Sequence, residues 1–316
     1  MGHMSDEALP DVIAIGETMM MVTPARPEPL RVATELRLHA GGAESNLACH
    51  LAQLGVPAAW VSSLGADVLG DRVLASVGGH GVDVRWVRRD AGAPTGVYFK
   101  DPGNGVLYYR SGSAASRMGA DEVAAVPLER ARVVHLSGIT PALSPSCAAL
   151  VDAVAARVAA SGALLSFDVN YRPALWSPEA AAPVLRRLAA AADIVFVGLD
   201  EAGTVWGCAD AAAVRALLPG VPRLVVKDGE VGATEFGAGA AGEDESVFVP
   251  AIPGEVVEVV GAGDAFAAGY LAALLGGAGP AERLLAGHER ARLVLQTTGD
   301  VIEPGTALAD RAAAGA

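Results

Sequence analysis

Cysteine is scarce in this chain. The three cysteines, Cys49, Cys147 and Cys208, stand far apart and show no metal-ligand spacing with one another or with histidine. This pattern argues against a disulfide framework and against a zinc site. It favours a reducing, cytoplasmic location.

Positive charge is also scarce. Lys and Arg total 23 against 36 Asp and Glu, so the formal net charge of the 316 residues is -13. We therefore expect no broad surface for nucleic acid or for anionic membranes, because both need clustered basic side chains. A small anionic substrate is still allowed, since a pocket sets its own local potential.

No long uninterrupted apolar run is present. The most apolar stretch, Val256–Gly279, is interrupted by Glu258 and Asp264 and is rich in glycine, so it does not fit a membrane span. Residues 1–4 look like the remnant of an expression tag, so we expect residues 1–10 to be disordered.

What the chain does contain is an alternation of short β-branched or apolar runs with longer Ala- and Leu-rich segments. Buried strands are predicted at Val12–Ile15, Ala59–Ser63, Val133–Leu136, Leu164–Phe167, Ile194–Val197 and Leu224–Val226. Helices are predicted at Glu44–Leu54, Ala148–Ala160, Ala181–Ala191, Ala211–Leu218, Ala265–Leu275 and Ala281–Gln296. Such alternation is typical of an α/β fold with a mostly parallel sheet between two layers of helices. Ligands of such sheets bind beyond the carboxyl ends of the strands.

Two segments interrupt this core of residues 11–316. Residues 18–40 and 94–111 are polar, extended and punctuated by Pro and Gly, and the second is a hairpin with strong turn chemistry. We expect the two to form one small β-sheet that serves as a lid, as an oligomer interface, or as both. A merely decorative hairpin is the alternative, against which exposed aromatic and basic side chains in the second segment argue. Gly237–Glu245 is predicted to be a polar surface loop.

The sharpest motif is Val259–Gly269, in which valines and glycines precede an Ala-rich apolar run. It predicts a tight loop that opens into a helix, with the N–H groups of Gly261, Ala262 and Gly263 free to bind phosphate oxygens. Asp264 then has two interpretations. It is either a favourable carboxylate in the first helical turn or a base that takes the proton of an attacking hydroxyl.

The segment Gly261–Phe266 resembles the signature of the ribokinase-type (PfkB) carbohydrate kinases. A second segment, Ala40–Ala48, resembles the family's paired-glycine motif and lies in the expected order. The resemblance implies a ribokinase-like three-layer sandwich with a β-sheet lid. It also implies that Gly41 and Gly42 approach the sugar while Asn46 fixes their loop.

Further segments resemble the 2-keto-3-deoxygluconate kinases within that family. These are Asp168–Trp176, Tyr108–Arg117, His135–Ile139 and Val294–Asp300. A sugar acid needs donors for its carboxylate, and arginine is the best of these. The implied substrate contacts are Tyr98, Tyr108, Arg110, Ile139, Asp168, Asn170, Arg172 and Asp264, with Arg110 and Arg172 reading the acid. A salt bridge at the end of a strand is the alternative for Arg172, and His135 is predicted to be a core residue.

Nucleotide contacts are less clearly marked. The resemblance implies that Lys227, Gly229 and Gly232 lie near the nucleotide phosphates and ribose, together with Ala262 and Gly263. Glu201 matches a residue that organises water around Mg²⁺, whereas Gly198 stands where the family usually has Asn. His288 is either a neighbour of adenine or a surface residue of a helix.

These features lead to one principal hypothesis, the ATP- and Mg²⁺-dependent phosphorylation of 2-keto-3-deoxygluconate at its terminal hydroxyl. A ribokinase- or fructokinase-like kinase of a neutral sugar is one alternative, and a non-catalytic sugar or nucleotide sensor is the other. The exposed edge of the predicted hairpin favours a homo-oligomer, a dimer through the lid or a larger assembly.

Overall fold

Strands and helices alternate along most of the chain in the computed structural model, which describes residues 9–238, 244–297 and 299–302. The strands are β1 (Val12–Ile15), β2 (Met19–Pro24), β3 (Leu36–Gly41), β4 (Ala58–Gly65), β5 (Val87–Asp90), β6 (Val97–Asp101), β7 (Gly105–Tyr109), β8 (Val133–Ser137), β9 (Leu164–Asp168), β10 (Ile194–Gly198), β11 (Arg223–Asp228), β12 (Gly232–Ala238) and β13 (Asp244–Pro250). The helices are α1 (Ala43–Gln53), α2 (Val68–Gly79), α3 (Ile139–Leu143), α4 (Pro145–Ala159), α5 (Pro178–Ala190), α6 (Leu199–Trp206), α7 (Ala211–Leu217), α8 (Ala262–Leu275) and α9 (Pro280–Leu295). Most of the predicted tag remnant lies outside the described residues.

The main sheet has the strand order β13-β12-β11-β10-β9-β8-β1-β4-β5. Neighbours from β11 to β5 run parallel, and β12 and β13 extend the sheet with antiparallel pairing. The central strands are buried on both faces, which explains why they are nearly continuous apolar runs in the sequence.

Alternate residues of each central strand face different helical layers. In β1, Val12 and Ala14 belong to the apolar cluster that includes residues of α1, α2, α8 and α9, whereas Ile13 and Ile15 belong to the cluster that includes residues of α4 to α7. Each fully buried side chain of this kind contributes roughly 1.5–3 kcal/mol. The three-layer α/β sandwich predicted from the sequence is therefore confirmed.

Several helices begin earlier than predicted. α4 begins at Pro145 and α5 at Pro178, each three residues before its predicted start. In both cases the preceding serine, Ser144 or Ser177, accepts a hydrogen bond from a backbone N–H of the first turn. Proline is favoured directly after such a cap, so the capping residues set the boundary rather than the Ala-rich run.

The two inserted segments form one small second sheet with the strand order β3-β2-β6-β7, as predicted. Parallel pairing of β2 with β6 joins the first segment to the second, and β6 and β7 form the predicted hairpin. Met19, Met21 and Tyr98 form a buried cluster within this sheet.

The prediction of a surface loop at Gly237–Glu245 is wrong at its ends. Gly237 pairs with Glu245 across β12 and β13, so both residues belong to strands. Residues 239–243 of this segment lie outside the described residues. No helix in the described part of the chain is long and apolar enough to cross a membrane.

Candidate active site

Five adjacent strands of the main sheet have a polar residue or a glycine at or near the carboxyl end. In sheet order, these residues are Lys227, next to the last residue of β11, then Gly198, Asp168 and Ser137, which end β10, β9 and β8, and Glu17, two residues beyond β1. The carboxyl ends of parallel strands share one edge of the sheet, which is where α/β folds bind their ligands.

The loop before α8 has the tight geometry that its glycines predict. Gly261 has a φ of +87°, a conformation that favours glycine, and a Cβ at this position would lie 2.8 Å from the Cα of Asp300. The expectation of three free amides is wrong for Ala262, because its N–H donates to the carbonyl oxygen of Val259 at 3.3 Å and closes a turn. Gly263 lies in the first turn of α8, where the helix dipole favours an anion.

Asp264, in the same helical turn, is a half-buried acidic residue. Its Oδ2 accepts a hydrogen bond from the Asn46 side chain of α1 at 2.9 Å. The pKa of Asp264 is raised to about 7, mainly because its carboxyl group is shielded from water. The hydrogen bond from Asn46 and the charge of Arg172 lower this pKa, whereas the carboxylates of Asp168 and Asp300 raise it. A carboxyl group with this pKa can both accept and release a proton near neutral pH.

The half-buried Lys227 and the buried Asp168 form an ion pair beside α8. The ammonium group of Lys227 lies 3.0 Å from Oδ2 of Asp168, while Oδ1 of Asp168 is buried and has no hydrogen-bond partner among the described residues. Burial lowers the pKa of Lys227, but the charges of Asp168 and Glu201 outweigh it and the pKa is raised. The lysine is therefore cationic, and a Cβ on Gly263 would lie 3.4 Å from its Nζ.

Glu201 and Arg172 lie next to this pair. Oε2 of Glu201 accepts the N–H of Gly198 at 2.9 Å, which caps the start of α6, and Oε1 lies 3.7 Å from a guanidinium nitrogen of Arg172. Burial and the charge of Asp168 raise the pKa of Glu201. Arg172 is thus in a long, partly exposed ion pair that a ligand carboxylate can replace. Asn170, between the two motif residues, has a φ of +40°.

The second sheet contributes another group of predicted residues. Tyr98 is buried and the Arg110 side chain is only 11% exposed, so the expectation that they are exposed is wrong, whereas Tyr108 is exposed as expected. The Tyr98 and Tyr108 rings stack with their centroids 5.8 Å apart, and the Arg110 guanidinium lies 5.4 Å from the centre of the Tyr108 ring. A Cβ on Gly41 would overlap the Tyr98 hydroxyl, so the glycine allows this close approach.

Arg110 is held by Glu17, a residue that sequence reasoning missed. The Arg110 guanidinium donates to Oε2 of Glu17, and the Ser113 hydroxyl donates to Oε1 at 3.0 Å. Nε of Arg110 is buried and has no hydrogen-bond partner within the described part of the chain. Glu17 lies just beyond the carboxyl end of β1, and Asp168 lies at the carboxyl end of β9. A search for polar residues at the ends of predicted strands could therefore have found Glu17.

Glu44, in the first turn of α1, was also missed. Its carboxyl group is fully buried, and a Cβ on Gly16 would overlap it. Oε1 accepts from the Ser137 hydroxyl at 2.6 Å, and that hydroxyl oxygen in turn accepts the N–H of Ile139 at 3.2 Å. Burial raises the pKa of Glu44 to about 7. Glu44 therefore orients, through Ser137, the start of α3 at Ile139, while Gly42 forms the N-terminal boundary of α1.

The predicted nucleotide residues occupy two places. Gly229 lies in the turn between β11 and β12, and Gly232 is the first residue of β12, next to the edge that Lys227 occupies. His288 is buried on α9, where a ring nitrogen lies 3.1 Å from the Val249 carbonyl oxygen, so the interpretation as a surface residue is wrong. His135 is buried against the Ser166 hydroxyl, as predicted for a core residue.

The described residues contain no group of three or more His, Cys, Asp or Glu side chains that could hold a metal ion. The unpartnered Oδ1 of Asp168 and the neighbouring Glu201 fit an ion that is held mainly by phosphate oxygens and water, as Mg²⁺ commonly is.

Comparison with known proteins places this geometry in context. The family model described as pfkB family carbohydrate kinase matches residues 9–305. The chain is 34% identical to a 2-dehydro-3-deoxygluconokinase of Thermoproteus tenax, over 93% of this chain and 91% of that protein. It is 32% identical to a 2-dehydro-3-deoxygalactonokinase of Haloferax volcanii, over 92% of each chain. A crystal structure of a PfkB protein from Polaromonas sp. JS666 superposes with a TM-score of 0.83 at 36% identity, over 92% of this chain and 97% of that one.

Proposed function

The chain belongs to the pfkB family of carbohydrate kinases, and we propose that it transfers the γ-phosphoryl group of ATP to 2-keto-3-deoxygluconate, also named 2-dehydro-3-deoxygluconate. The product is the 6-phosphate of this sugar acid. The observation that supports the proposal is the half-buried Asp264 in the first turn of α8, whose pKa is raised to about 7, beside a cationic Lys227.

In the proposed reaction, Asp264 accepts the proton of the terminal hydroxyl as its oxygen attacks the γ-phosphorus. The new P–O bond forms while the bond to the β-phosphate oxygen breaks, and ADP leaves. Asn46 orients the carboxylate through its hydrogen bond to Oδ2. The helix N-terminus at Gly261 and Gly263 stabilises the charge on the transferring group, where most of the catalysis of phosphoryl transfer lies.

Two arginines give the proposed site its preference for an acid. Nε of Arg110 has no hydrogen-bond partner among the described residues, and a guanidinium nitrogen of Arg172 lies 3.7 Å from Oε1 of Glu201. Both arginines therefore have N–H donors that a substrate carboxylate can use. Tyr98 and Tyr108 form the adjoining aromatic wall. The second sheet, which carries Arg110, would serve as a lid over the sugar.

ATP would bind beside Lys227 and the turn from Gly229 to Gly232, the first residue of β12. A Mg²⁺ ion held by the nucleotide phosphates, by water and by the carboxylates of Asp168 and Glu201 would neutralise charge on the phosphates. A role of His288 in adenine binding stays a prediction, as does a cytoplasmic location.

Asp264→Asn is the direct test of the reaction. We expect kcat to fall by about 10²- to 10⁴-fold, the usual contribution of a general base, while sugar binding persists because the amide has nearly the same shape. Kinetics and calorimetric sugar titration measure the two effects. The surface variant Asp152→Asn is the matched control, and near-normal turnover of Asp264→Asn would remove the assigned role.

A substrate panel tests the class of sugar. ADP release is measured with 2-keto-3-deoxygluconate, its galacto epimer, ribose and fructose, each against a reaction without sugar. Preference for a neutral sugar would contradict the acid assignment, and no turnover on any of them would favour the sensor.

Arg172→Ala refines this result. It should raise KM for acidic sugars more than for neutral ones, whereas Arg187→Ala, which breaks a surface ion pair with Asp152, should change neither. If Arg172→Ala changes KM equally for acidic and neutral sugars, Arg172 does not bind the substrate carboxylate.

We also propose a homo-oligomer that forms through the second sheet. Leu36, Leu38, Leu107 and Tyr109 are exposed on its strands, and such apolar area favours a protein contact. Sedimentation of the protein as a monomer would refute this assembly.

A further inference from the structure

Asp300 lies where the second sheet meets the loop before α8. Its side chain is 3% exposed, and Oδ1 accepts from the ammonium group of Lys100 in β6 at 2.9 Å. Oδ2 accepts from the Tyr98 hydroxyl, also in β6, at 3.3 Å. Both carboxylate oxygens of Asp300 are thus bonded to one strand of the second sheet.

The backbone of Asp300 is fixed on the opposite side. A neutral His50, whose pKa burial lowers to about 3, donates from Nε2 to the Asp300 carbonyl oxygen at 3.2 Å. Nδ1 of His50 accepts from Arg290 at 3.1 Å, which fixes this tautomer. The backbone of Asp300 also packs against Gly261, since a Cβ added to Gly261 would lie 2.8 Å from the Cα of Asp300.

Lys100 reaches the loop by a second route. Its ammonium group lies 3.6 Å from Glu258, and Oε1 of Glu258 accepts the N–H groups of Val259 and Val260 at 2.8 and 3.2 Å. The ammonium group of Lys100 therefore contacts the carboxylates of both Asp300 and Glu258, which lie on either side of the loop that ends at Gly261.

We infer that Asp300, paired with Lys100, is a positioning residue that couples the docked second sheet to the conformation of the Gly261 loop. The inference rests on the proposed function, because that loop is assigned to the transferring phosphoryl group. When β6 moves away, Asp300 loses both of its side-chain partners, and an unpaired buried charge is strongly unfavourable. The loop then holds the geometry for phosphoryl transfer only while the sheet that covers the sugar is in place.

Three variants test this coupling: Lys100→Met, Asp300→Asn and the double variant. Each single change should lower kcat by about 5- to 100-fold, which lies within the range of coupling energies between contacting residues. The affinity for sugar without ATP should change less than kcat. Each single variant should also be less stable than wild type, because it leaves one buried group without its charged partner.

The double variant separates positioning from stability. With both charges removed, the stability of the fold should recover toward that of wild type, whereas kcat should stay low because the contact between sheet and loop is gone. If kcat recovers together with stability, Asp300 has only a structural role and the inference is wrong. Should a single variant fail to fold, the double variant alone decides the question.

Hydrogen exchange of the unliganded protein provides a readout that does not depend on the substrate. The double variant should exchange faster both in β6 and at residues 259–263, and unchanged exchange at either place would overturn the coupling. Glu235→Gln is the matched control, since it breaks the buried pair with Arg283 that joins β12 to α9. It should lower stability without changing kcat or exchange in β6. A wild-type protein inactive on every sugar would refute the proposed function but leave this exchange test intact.

Discussion

The residue proposed as the base should destabilise the fold. An Asp side chain ordinarily has a pKa of 3.8, and burial raises that of Asp264 to about 7. The folded state therefore holds a proton that the unfolded state has lost between these two pH values. Stability must fall as pH rises through this window and level off above about 7.

The size of this effect follows from the same two pKa values. Each pH unit of difference corresponds to about 1.4 kcal/mol, so ionised Asp264 costs the folded protein roughly 4 kcal/mol above pH 7. Asp264→Asn removes this titration and keeps an oxygen that can accept from Asn46. The variant should gain about 2 kcal/mol relative to wild type between pH 5 and pH 7.

Urea denaturation of both proteins at pH 5, 6, 7 and 8 measures this difference. The separation between the two free energies of unfolding should grow up to pH 7 and then stay constant. Subtraction of wild type from variant removes the contribution of Glu44, which titrates in the same window in both proteins. Asp152→Asn, an exposed carboxylate, is the control. If the Asp264→Asn curve stays parallel to that of wild type at every pH, burial does not raise the pKa of Asp264 as described.

Three further predictions concern activity. In wild type, kcat/KM should fall about tenfold per pH unit below about 7, since protonated Asp264 cannot accept a proton, and a flat profile from pH 5 to pH 8 would contradict this. Glu17→Gln should raise KM for the sugar acid with a smaller change in kcat, because Arg110 loses its ion-pair partner, and an unchanged KM would show that this contact does not orient Arg110. Gly261→Ala should destabilise the protein by about 1–3 kcal/mol and lower kcat, because φ of Gly261 is positive and Asp300 occupies the space that a Cβ would need. Thermal unfolding and kinetics would show whether both changes occur.

Much of the fold follows from local patterns. The six predicted strands exist in the main sheet because β-branched apolar runs identify strands that are buried on both faces. The missed helix α2 contains Gly70, Gly78 and Gly79, which weaken a helical pattern, although Asp67 caps its first turn by accepting the N–H of Gly70 at 2.8 Å. The missed strand β13 extends the sheet from an edge, where the apolar pattern is weaker.

Some residues of the site could be predicted from the local sequence, whereas others are placed by contacts between distant segments. Asp168 and Lys227 could be found because they lie at strand ends, and Asp264 because it follows a glycine loop. The ion pair between Lys100 and Asp300 joins residues that are 200 positions apart. The local sequence around either residue does not predict this contact. The burial of Arg110 likewise depends on how the second sheet packs on the main one.

The contact between Gly16 and Glu44 limits how this sequence can vary. The carboxyl group of Glu44 occupies the space that any side chain at position 16 would need. A substitution at position 16 is therefore compatible with the fold only when residue 44 becomes smaller at the same time. In a library that randomises both positions, surviving clones should combine glycine with glutamate, or a larger residue at 16 with a short one at 44.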